Sequence, residues 1–207
     1  MSPETCAIIV FEKNPKLGKV KTRLAETIGA EKALEIYRYL LGLTHSVVDL
    51  TPYHKIIYFS EFIPDDTSKG NYSFGLQKKG DLGNKMSYSF LESFEKGFEK
   101  IIIIGTDCPE ISPELLHQAF DILDEKDAVI GPASDGGYYL LGMKSYHPEL
   151  FKNMIWSTSS VYNETTEKFK ESDLSYGVLE VLNDIDTEDD WNAYLEKNSK
   201  EGLSDKF

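Results

Sequence analysis

Residues 101–109 read Ile-Ile-Ile-Ile-Gly-Thr-Asp-Cys-Pro, and this stretch decides the fold class. Four consecutive isoleucines do not alternate between core and solvent. The run therefore predicts a strand buried on both faces, as in a parallel sheet covered by helices. Asp107 follows the carboxyl end of that strand, where open α/β sheets bind their ligands. On this stretch alone two interpretations stay open: Asp107 forms the floor of an active site, or it only caps a turn.

The rest of the chain continues the pattern, because apolar strand segments alternate with helical segments. Strands are predicted at residues 6–11, 54–60, 73–78, 101–105, 127–131, 136–142 and 176–182. Helices are predicted at residues 22–28, 30–49, 84–97, 113–124, 159–170 and 187–197. This alternation predicts an α/β fold of three layers, with a central, mostly parallel sheet and helices on both faces.

Length, charge and cysteine content limit the class of protein. The 207 residues fit a single domain over residues 1–197, followed by a frayed tail at 198–207. The net charge of −13 argues against a nucleic-acid partner, because no broad basic face is available. We expect no membrane span and no signal peptide, since the apolar runs are short. Two cysteines without a framework or metal spacing predict a cytoplasmic protein. The oligomeric state stays open.

One loop reverses the acidic character of the chain. Residues 13–23, directly after the first predicted strand, contain five basic residues and no acidic one, namely Lys13, Lys16, Lys19, Lys21 and Arg23. Such a loop suits a polyphosphate, because lysine supplies point charges and arginine a planar fork for phosphate oxygens. The alternative is a solvated loop without a ligand. The loop is not a P-loop, since Val20 stands where that motif requires Ser or Thr.

A second group of charges lies near the C-terminus, in Asp184-Ile185-Asp186-Thr187. In an extended segment Asp184 and Asp186 point to one side and Ile185 to the other. Together with Asp107, the two carboxylates form a set of hard oxygen ligands suited to Mg²⁺ or Mn²⁺. The acids at 188–190 have a simpler explanation, because Thr187 is a natural helix cap and acids favour the first helical turn.

A third candidate is the segment Asp135-Gly136-Gly137. The paired glycines allow a close approach to a ligand, or they simply form a turn. Asp135 is a candidate for orienting a hydroxyl group of a substrate. Trp156 forms the wall of an acceptor pocket or packs in the core, and the sequence leaves both possibilities open.

Several of these segments together resemble the nucleotide-diphospho-sugar transferase superfamily of GT-A fold. Within it, the chain resembles the glycosyltransferase-like family catalogued as domain of unknown function 2064, whose relatives include guanylyltransferases of deazaflavin-cofactor synthesis. The six matching segments begin at residues 13, 80, 105, 131, 156 and 184. In that order, their sequences are Lys-x-Pro-x-x-Gly-x-x-Lys-Thr-Arg-Leu, Gly-Asp-Leu-Gly, Gly-Thr-Asp-Cys-Pro, Gly-Pro-Ala-x-Asp-Gly-Gly-Tyr-Tyr-Leu, Trp-Ser-Thr and Asp-Ile-Asp-Thr-x-x-Asp.

The resemblance implies a Rossmann-like GT-A fold with a mixed central sheet and a nucleotide bound across its carboxyl edge. It implies that phosphates meet the basic loop, through Lys13, Gly18, Lys21, Thr22 and Arg23. It also implies that Asp107 and Asp186 bind the metal. The chain departs from many members of the superfamily, because residue 105 is Gly and residue 109 is Pro where an acid would complete a paired D-x-D. Metal binding is therefore expected to depend more on Asp186 and on Asp184.

The expected activity is that of a metal-dependent transferase using an activated nucleotide, with Asp107, Lys21 and Arg23 in catalytic roles. A glycosyltransferase-like reaction of a nucleotide sugar is the first hypothesis. Nucleotidyl transfer, which releases pyrophosphate from a nucleoside triphosphate, is the near-equal alternative, because the basic loop suits pyrophosphate. A non-catalytic nucleotide-binding module is the third. The expected ligands are a nucleotide or nucleotide sugar and a small-molecule acceptor, with Asp135, Gly136, Gly137 and Trp156 on the acceptor side.

Overall fold

A computed structural model of the chain describes residues 3–65 and 72–200. The strands in these residues are β1 (Cys6–Glu12), β2 (His54–Phe59), β3 (Tyr72–Leu76), β4 (Lys100–Ile104), β5 (Ala128–Pro132), β6 (Tyr138–Met143) and β7 (Tyr176–Val178). They form one sheet in the order β3-β2-β1-β4-β6-β5-β7. The helices are α1 (Thr22–Ile28), α2 (Ala30–Asp49), α3 (Leu82–Glu95), α4 (Pro113–Glu125), α5 (Val161–Glu171) and α6 (Glu188–Lys200).

The sheet is mixed, as the family resemblance implies. β6 is antiparallel to both of its neighbours, β4 and β5, whereas the other paired strands are parallel. Val10 lies opposite Ile104 in the parallel pair of β1 and β4. The loop after β1 and the turn after β4 therefore leave the sheet side by side at its carboxyl edge.

The isoleucines of β4 fill both sides of the sheet, as their unbroken run predicts. Ile102 and Ile104 pack with residues of α4 in one hydrophobic cluster. Ile101 and Ile103 pack on the opposite face with α3, α5 and the 3-10 turn at Pro148–Phe151. The predicted three-layer α/β fold is confirmed.

A separate cluster supports the C-terminal acids. Leu24 of α1 and Ile36 of α2 pack against Ile185 and against Trp191 of α6. Ile185 is only 2% exposed. Asp184 and Asp186, on either side of it, are therefore directed away from this cluster, as their spacing predicts. The packing fixes residues 184–186 beside the basic loop that precedes α1.

The ends of some elements differ from the predictions for local reasons. α3 begins at Leu82, two residues early, because the Asp81 side chain accepts a hydrogen bond from the Asn84 amide and caps the helix. β7 ends at Val178, before the predicted end at 182, although the Leu179 amide still donates to the Ile130 carbonyl oxygen and Leu182 forms an isolated bridge to Ala133. α6 continues to Lys200, past the predicted end at 197, and the remainder of the predicted tail lies outside the described residues.

No helix in the described ranges is long and apolar enough to cross a membrane.

Candidate functional site

A cavity of about 730 Å³ opens at the carboxyl edge of the sheet, between the loop after β1 and the start of α3. Its volume is within the range of small-molecule and cofactor sites. Most of the residues singled out in the sequence line it: Lys13, Lys21, Thr22, Arg23, Asp107, Asp135, Gly137, Trp156, Asp184 and Asp186. Gly18 and Gly136 do not line the cavity, so their proposed contacts with phosphate and acceptor stay predictions.

Asp107 stands in the turn after β4, and its backbone is tied to the C-terminal acids. The carbonyl oxygen of Asp107 accepts a hydrogen bond of 2.9 Å from the amide of Ile185. This bond and the core packing of Ile185 bring Asp107, Asp184 and Asp186 to one part of the cavity wall. The sequence predicts this grouping, and the backbone bond is the physical cause of it.

Lys21 connects the basic loop to these acids. Its ammonium nitrogen, Nζ, lies 2.5 Å from Oδ1 of Asp107 and 3.4 Å from Oδ1 of Asp186. It also donates a hydrogen bond to the carbonyl oxygen of Ile185. The lysine side chain is only 3% exposed, whereas the Asp107 side chain is 43% exposed. The ammonium group therefore lies beneath the carboxylates, and the carboxylates face the cavity.

The backbone of Lys21 is strained where it enters α1. Its φ of 47° and ψ of 49° are left-handed, a conformation that is unfavourable by roughly 1–2 kcal/mol for a residue with a side chain. Strain of this kind is retained where the surrounding structure fixes it, and it is frequent at functional sites. Here the ion pair with Asp107 and the bond to Ile185 hold the residue in place.

Arg23 is the more accessible cation of the same loop. Its guanidinium lies 3.5 Å from Oδ2 of Asp186, and its side chain is 69% exposed. An ion pair with this exposure contributes little to stability. The arginine fork is therefore the more exposed of the two cations, although Lys21 and Arg23 both line the cavity.

Asp184 is the most perturbed acid of the site. Burial, followed by the negative charge of Asp107, raises the pKa of Asp184 to about 7. Lys21 opposes the shift, and Asp135 and Asp186 add to it. Burial and neighbouring carboxylates disfavour the ionisation of an acid in this way, and such perturbed acids are common at functional sites.

The donor set fits a hard divalent cation, although it is arranged around an ammonium group. Oxygens of Asp107, Asp186 and Ile185 surround the Lys21 nitrogen, which stands in the position of a cation. Within residues 3–65 and 72–200, no three His, Cys, Asp or Glu side chains are positioned to hold a metal ion together. The oxygen chemistry is therefore suitable for Mg²⁺ or Mn²⁺, while the carboxylates are not gathered around a common point.

Tyr37 of α2 holds the start of the basic loop. Its hydroxyl accepts a hydrogen bond from the Lys13 amide and donates one to the Lys13 carbonyl oxygen, each of 2.9 Å. Burial raises the pKa of Tyr37, while a hydrogen bond with Thr106 opposes that shift, so the hydroxyl keeps its proton. Tyr37 thus joins the loop after β1 to the turn that carries Asp107.

The five cations of the loop do not share one direction. Lys13, Lys19, Lys21 and Arg23 line the cavity. Lys16 instead pairs with Glu61 outside the cavity wall. This difference follows from Asn14, whose side-chain oxygen accepts hydrogen bonds from residues 60–62 and fixes this part of the loop against the end of β2.

The cavity wall also holds the predicted acceptor residues Asp135, Gly137 and Trp156. Oδ1 of Asp135 accepts a hydrogen bond of 2.8 Å from the Gly137 amide, so this carboxylate also forms its own turn. Trp156 lies directly on Gly83, because a Cβ atom at Gly83 would come within 2.4 Å of the indole ring. The Gly-Asp-Leu-Gly segment and Trp156 therefore form one wall, and Trp156 both lines the cavity and packs against the protein.

The residues that line the cavity without having been singled out in the sequence include Tyr37, Gln77 and Lys85. The Gln77 amide nitrogen donates to the carbonyl oxygens of Glu12 and Tyr58, which orients its side chain at the ends of β1 and β2. Lys85 is the second residue after the Gly-Asp-Leu-Gly motif, within α3, and this position near the motif was a usable signal for a site residue. Tyr37 and Gln77 gave no local signal.

Cys108 lines the cavity beside Asp107 but is not activated. Burial, followed by the charge of Asp184, raises the pKa of its thiol to about 12. A thiol of this kind stays protonated at neutral pH and is a poor nucleophile.

Residues 41–158 match the family described as "Uncharacterized protein conserved in bacteria (DUF2064)". This match covers more than half of the chain. The chain belongs to this family. The resemblance inferred from the sequence motifs is thereby confirmed. No curated protein matches the sequence significantly.

A solved structure from Desulfovibrio desulfuricans G20, provisionally named a nucleotide-diphospho-sugar transferase, is 31% identical to the chain. It has a TM-score of 0.90, and the alignment covers 98% of this chain and 91% of that one. The expected Rossmann-like fold of the nucleotide-diphospho-sugar transferases is thus confirmed.

More distant structures share the fold alone. The inositol-1-phosphate CTP transferase of T. maritima is 15% identical with a TM-score of 0.59, over 95% of each chain. Rv0371c of Mycobacterium tuberculosis, in complex with manganese, is 13% identical with a TM-score of 0.54, over 92% of this chain and 98% of that one.

Proposed function

We propose that the protein is a metal-dependent transferase that uses an activated nucleotide, with a nucleotide sugar as the first candidate donor. The observation that carries the proposal is that a basic loop and a group of acids line one cavity at the carboxyl edge of the sheet. This combination suits a polyphosphate and a divalent cation together. The family relative named a nucleotide-diphospho-sugar transferase supports the same class of reaction.

The phosphates of the donor are assigned to the loop after β1. Arg23 presents an exposed guanidinium, and Lys13 and Lys19 add positive charge along the cavity wall. Thr22, at the start of α1, supplies a hydroxyl donor on the same wall. In this assignment Lys21 and Arg23 stabilise the negative charge that develops on the departing phosphate group, a role that requires positioning but no side-chain nucleophile.

The metal is assigned to Asp107 and Asp186, with Asp184 as a further ligand. A bound Mg²⁺ or Mn²⁺ would neutralise phosphate oxygens during the transfer. The side chains of Asp107 and Asp186 are each more than 40% exposed toward the cavity and are therefore accessible to such an ion. The manganese complex of a protein with the same fold is consistent with this assignment.

The acceptor is assigned to the wall formed by Asp135, Gly137 and Trp156. The second oxygen of Asp135 accepts the hydroxyl of the acceptor, while Oδ1 keeps the turn in place. Trp156 provides a flat apolar surface, which suits the ring of a sugar or a base. These residues position the acceptor against the donor held by the basic loop.

Nucleotidyl transfer is the second candidate, and a specific observation favours it. Four cations of the basic loop line the cavity, which suits the triphosphate of a nucleoside triphosphate, with one phosphate more than a nucleotide sugar carries. The CTP transferase with the same fold is consistent with this chemistry. Product analysis distinguishes the two reactions. Nucleoside diphosphate released from a nucleotide sugar supports glycosyl transfer, and pyrophosphate released from a nucleoside triphosphate supports nucleotidyl transfer, each with a pool of acceptors.

A non-catalytic nucleotide-binding module is the remaining alternative. It would keep the phosphate loop but would need no metal. Calorimetry of nucleotide binding with and without Mg²⁺ separates the two. Affinity that does not depend on Mg²⁺, and that survives Asp107→Ala, would favour the binding module over the transferase.

The proposal also covers the domain organisation of the chain and its location in the cell. We assign the described residues to one domain, because all seven of their strands join a single sheet. A cytoplasmic location agrees with both cysteines being free and buried.

A further inference from the structure

The Lys21 side chain occupies the place between the two acids to which the proposed function assigns the metal. Its Nζ lies 2.5 Å from Asp107 and 3.4 Å from Asp186, and it is bonded to the Ile185 carbonyl oxygen. The side chain is 3% exposed. These contacts surround a positive charge with oxygen atoms, as the ligands of a metal ion do.

An ion bound through the Oδ1 atoms of Asp107 and Asp186 would take the place that the Lys21 ammonium group occupies. Metal–oxygen distances for Mg²⁺ are about 2.1 Å, so the ion would lie closer to Oδ1 of Asp107 than the lysine nitrogen does now. Two cations cannot share this space at such distances without strong repulsion. Lys21 and a bridging metal ion are therefore alternative partners of the same oxygens.

We infer that Lys21 is an internal competitor of the metal ion, and that an incoming polyphosphate relieves the competition by taking up the lysine. This inference rests on the proposed function and concerns the regulation of the same site. In the ligand-free protein the ammonium group neutralises the acids, which lowers the affinity for a divalent cation. When phosphates enter between the loop and the acids, Lys21 gains a stronger anionic partner, and the carboxylates become free to bind metal.

The consequence is positive coupling between the two ligands. Because coupling free energies are reciprocal, a polyphosphate that raises metal affinity must itself bind more tightly when metal is present. The protein would then hold little metal until its nucleotide arrives. The left-handed backbone of Lys21 is consistent with this role, since strain of this kind is frequent at ligand clamps and switch regions.

The test measures Mn²⁺ affinity in the absence of nucleotide, from the paramagnetic resonance signal of free Mn²⁺. Lys21→Met removes the competing charge and keeps a side chain of similar length. We expect this variant to bind Mn²⁺ at least 10-fold more tightly than the wild type. Lys19→Met is the matched control, because Lys19 lines the same cavity but is not among the cations paired with Asp107 or Asp186. Its Mn²⁺ affinity should stay within about 3-fold of the wild type, which separates direct competition from a general change of charge.

A further variant, Lys21→Met with Asp107→Asn, should lose the gain, which places the tightened Mn²⁺ at the acids. Circular dichroism establishes that each variant is folded. If Lys21→Met does not fold, Lys21→Gln provides the same measurement, since its amide can still donate to the Ile185 carbonyl oxygen.

Equal Mn²⁺ affinity in the wild type and in Lys21→Met would overturn the inference. If Asp107→Asn abolished that binding in both proteins, the proposed metal site would still stand. Weaker Mn²⁺ binding by Lys21→Met would also overturn it. Failure of the proposed function has a different signature, which is the absence of any nucleotide-dependent product from the wild type in the presence of Mg²⁺.

Discussion

Lys21 and Asp107 form an ion pair of 2.5 Å that joins the loop after β1 to the turn after β4. The lysine is buried and the carboxylate is partly exposed, so the pair is neither a surface salt bridge nor a fully buried one. Removing one partner of such a pair leaves the other charge uncompensated. The pair therefore connects the stability of the site with its capacity to bind anions and cations.

Replacing Asp107 with Asn should reduce transferase activity by about 100-fold or more, because the charge that would bind metal is removed. The fold should persist, since the Ile185 amide bonds to the backbone of residue 107 and not to its side chain. The matched control is Asp121→Asn, an exposed position on α4 away from the cavity, which should keep full activity. Equal activity in the two variants would contradict the assignment of the site.

Asp184→Asn should stabilise the ligand-free protein at alkaline pH. The folded-state pKa of Asp184 is raised to about 7, above its ordinary value of 3.8. The folded state therefore holds a proton that the unfolded state has lost, and stability falls as the pH rises from about 4 to 7. Asparagine has no proton to lose, so the variant should not lose stability in this way. At pH 8 its free energy of unfolding should exceed that of the wild type by on the order of 2 kcal/mol. Urea unfolding with a metal chelator at pH 4 and pH 8 measures the difference.

Asp127→Asn is a control for which the expected change in stability at neutral pH has the opposite sign. Hydrogen bonds from Ser175, together with Lys144, lower the pKa of Asp127 to about 2. Its charge stabilises the fold at pH values above 3.8, and this contribution disappears as the pH falls toward 2. The variant should therefore lose about 1 kcal/mol at pH 7, since the side chain is partly exposed, and nothing near pH 2. A stability gain by Asp127→Asn at neutral pH would contradict the electrostatic argument for both acids.

Tyr37→Phe should weaken the binding of inorganic pyrophosphate without unfolding the protein. The substitution removes both hydrogen bonds to Lys13 and leaves that part of the phosphate loop without its anchor. Loss of these partners should lower the free energy of unfolding by about 1–3 kcal/mol. Tyr39→Phe removes a hydroxyl bonded to Tyr194, away from the cavity, and should affect stability but not pyrophosphate affinity. Calorimetry of the two variants tests whether Tyr37 acts through the loop.

Gly83→Ala should displace Trp156, because the added Cβ atom would meet the indole ring at 2.4 Å. Overpacking of this kind is expected to destabilise the protein by about 1–3 kcal/mol. Gly42→Ala is the control, since Gly42 lies within α2 and has open space around it. That change should instead stabilise the helix by roughly 0.5–1 kcal/mol. Urea unfolding measures the stabilities, and a shift in tryptophan emission in Gly83→Ala alone reports the displaced ring.

The fold was predictable because its signals are local. The isoleucine run identifies the central strand, and Thr22–Ile28 and Ala30–Asp49 have the predicted bounds because glycine and proline mark their ends. The spacing of Asp184 and Asp186 around an apolar residue likewise predicts their common side. These signals depend on neighbouring residues, and packing did not override them.

The rest of the site depends on contacts between distant parts of the chain. Tyr37 has the spacing of a core residue in α2, and only the folded chain brings its hydroxyl to Lys13. Lys16 belongs to the same basic run as Lys21, yet its charge is directed to Glu61 because Asn14 anchors the loop elsewhere. The direction of a side chain in an irregular loop follows from such long-range bonds, so the sequence gives the charges but not their partners.

The most direct test of the account is thermal unfolding with nucleoside triphosphates and nucleotide sugars, each with and without Mg²⁺, in the wild type and in Asp107→Asn. A ligand that binds the folded state stabilises it by mass action. We predict that at least one nucleotide raises the unfolding temperature of the wild type only when Mg²⁺ is present, and that Asp107→Asn abolishes the rise. A rise that is equally large without Mg²⁺ and in Asp107→Asn, or no rise with any nucleotide, would contradict a metal-dependent nucleotide site at Asp107.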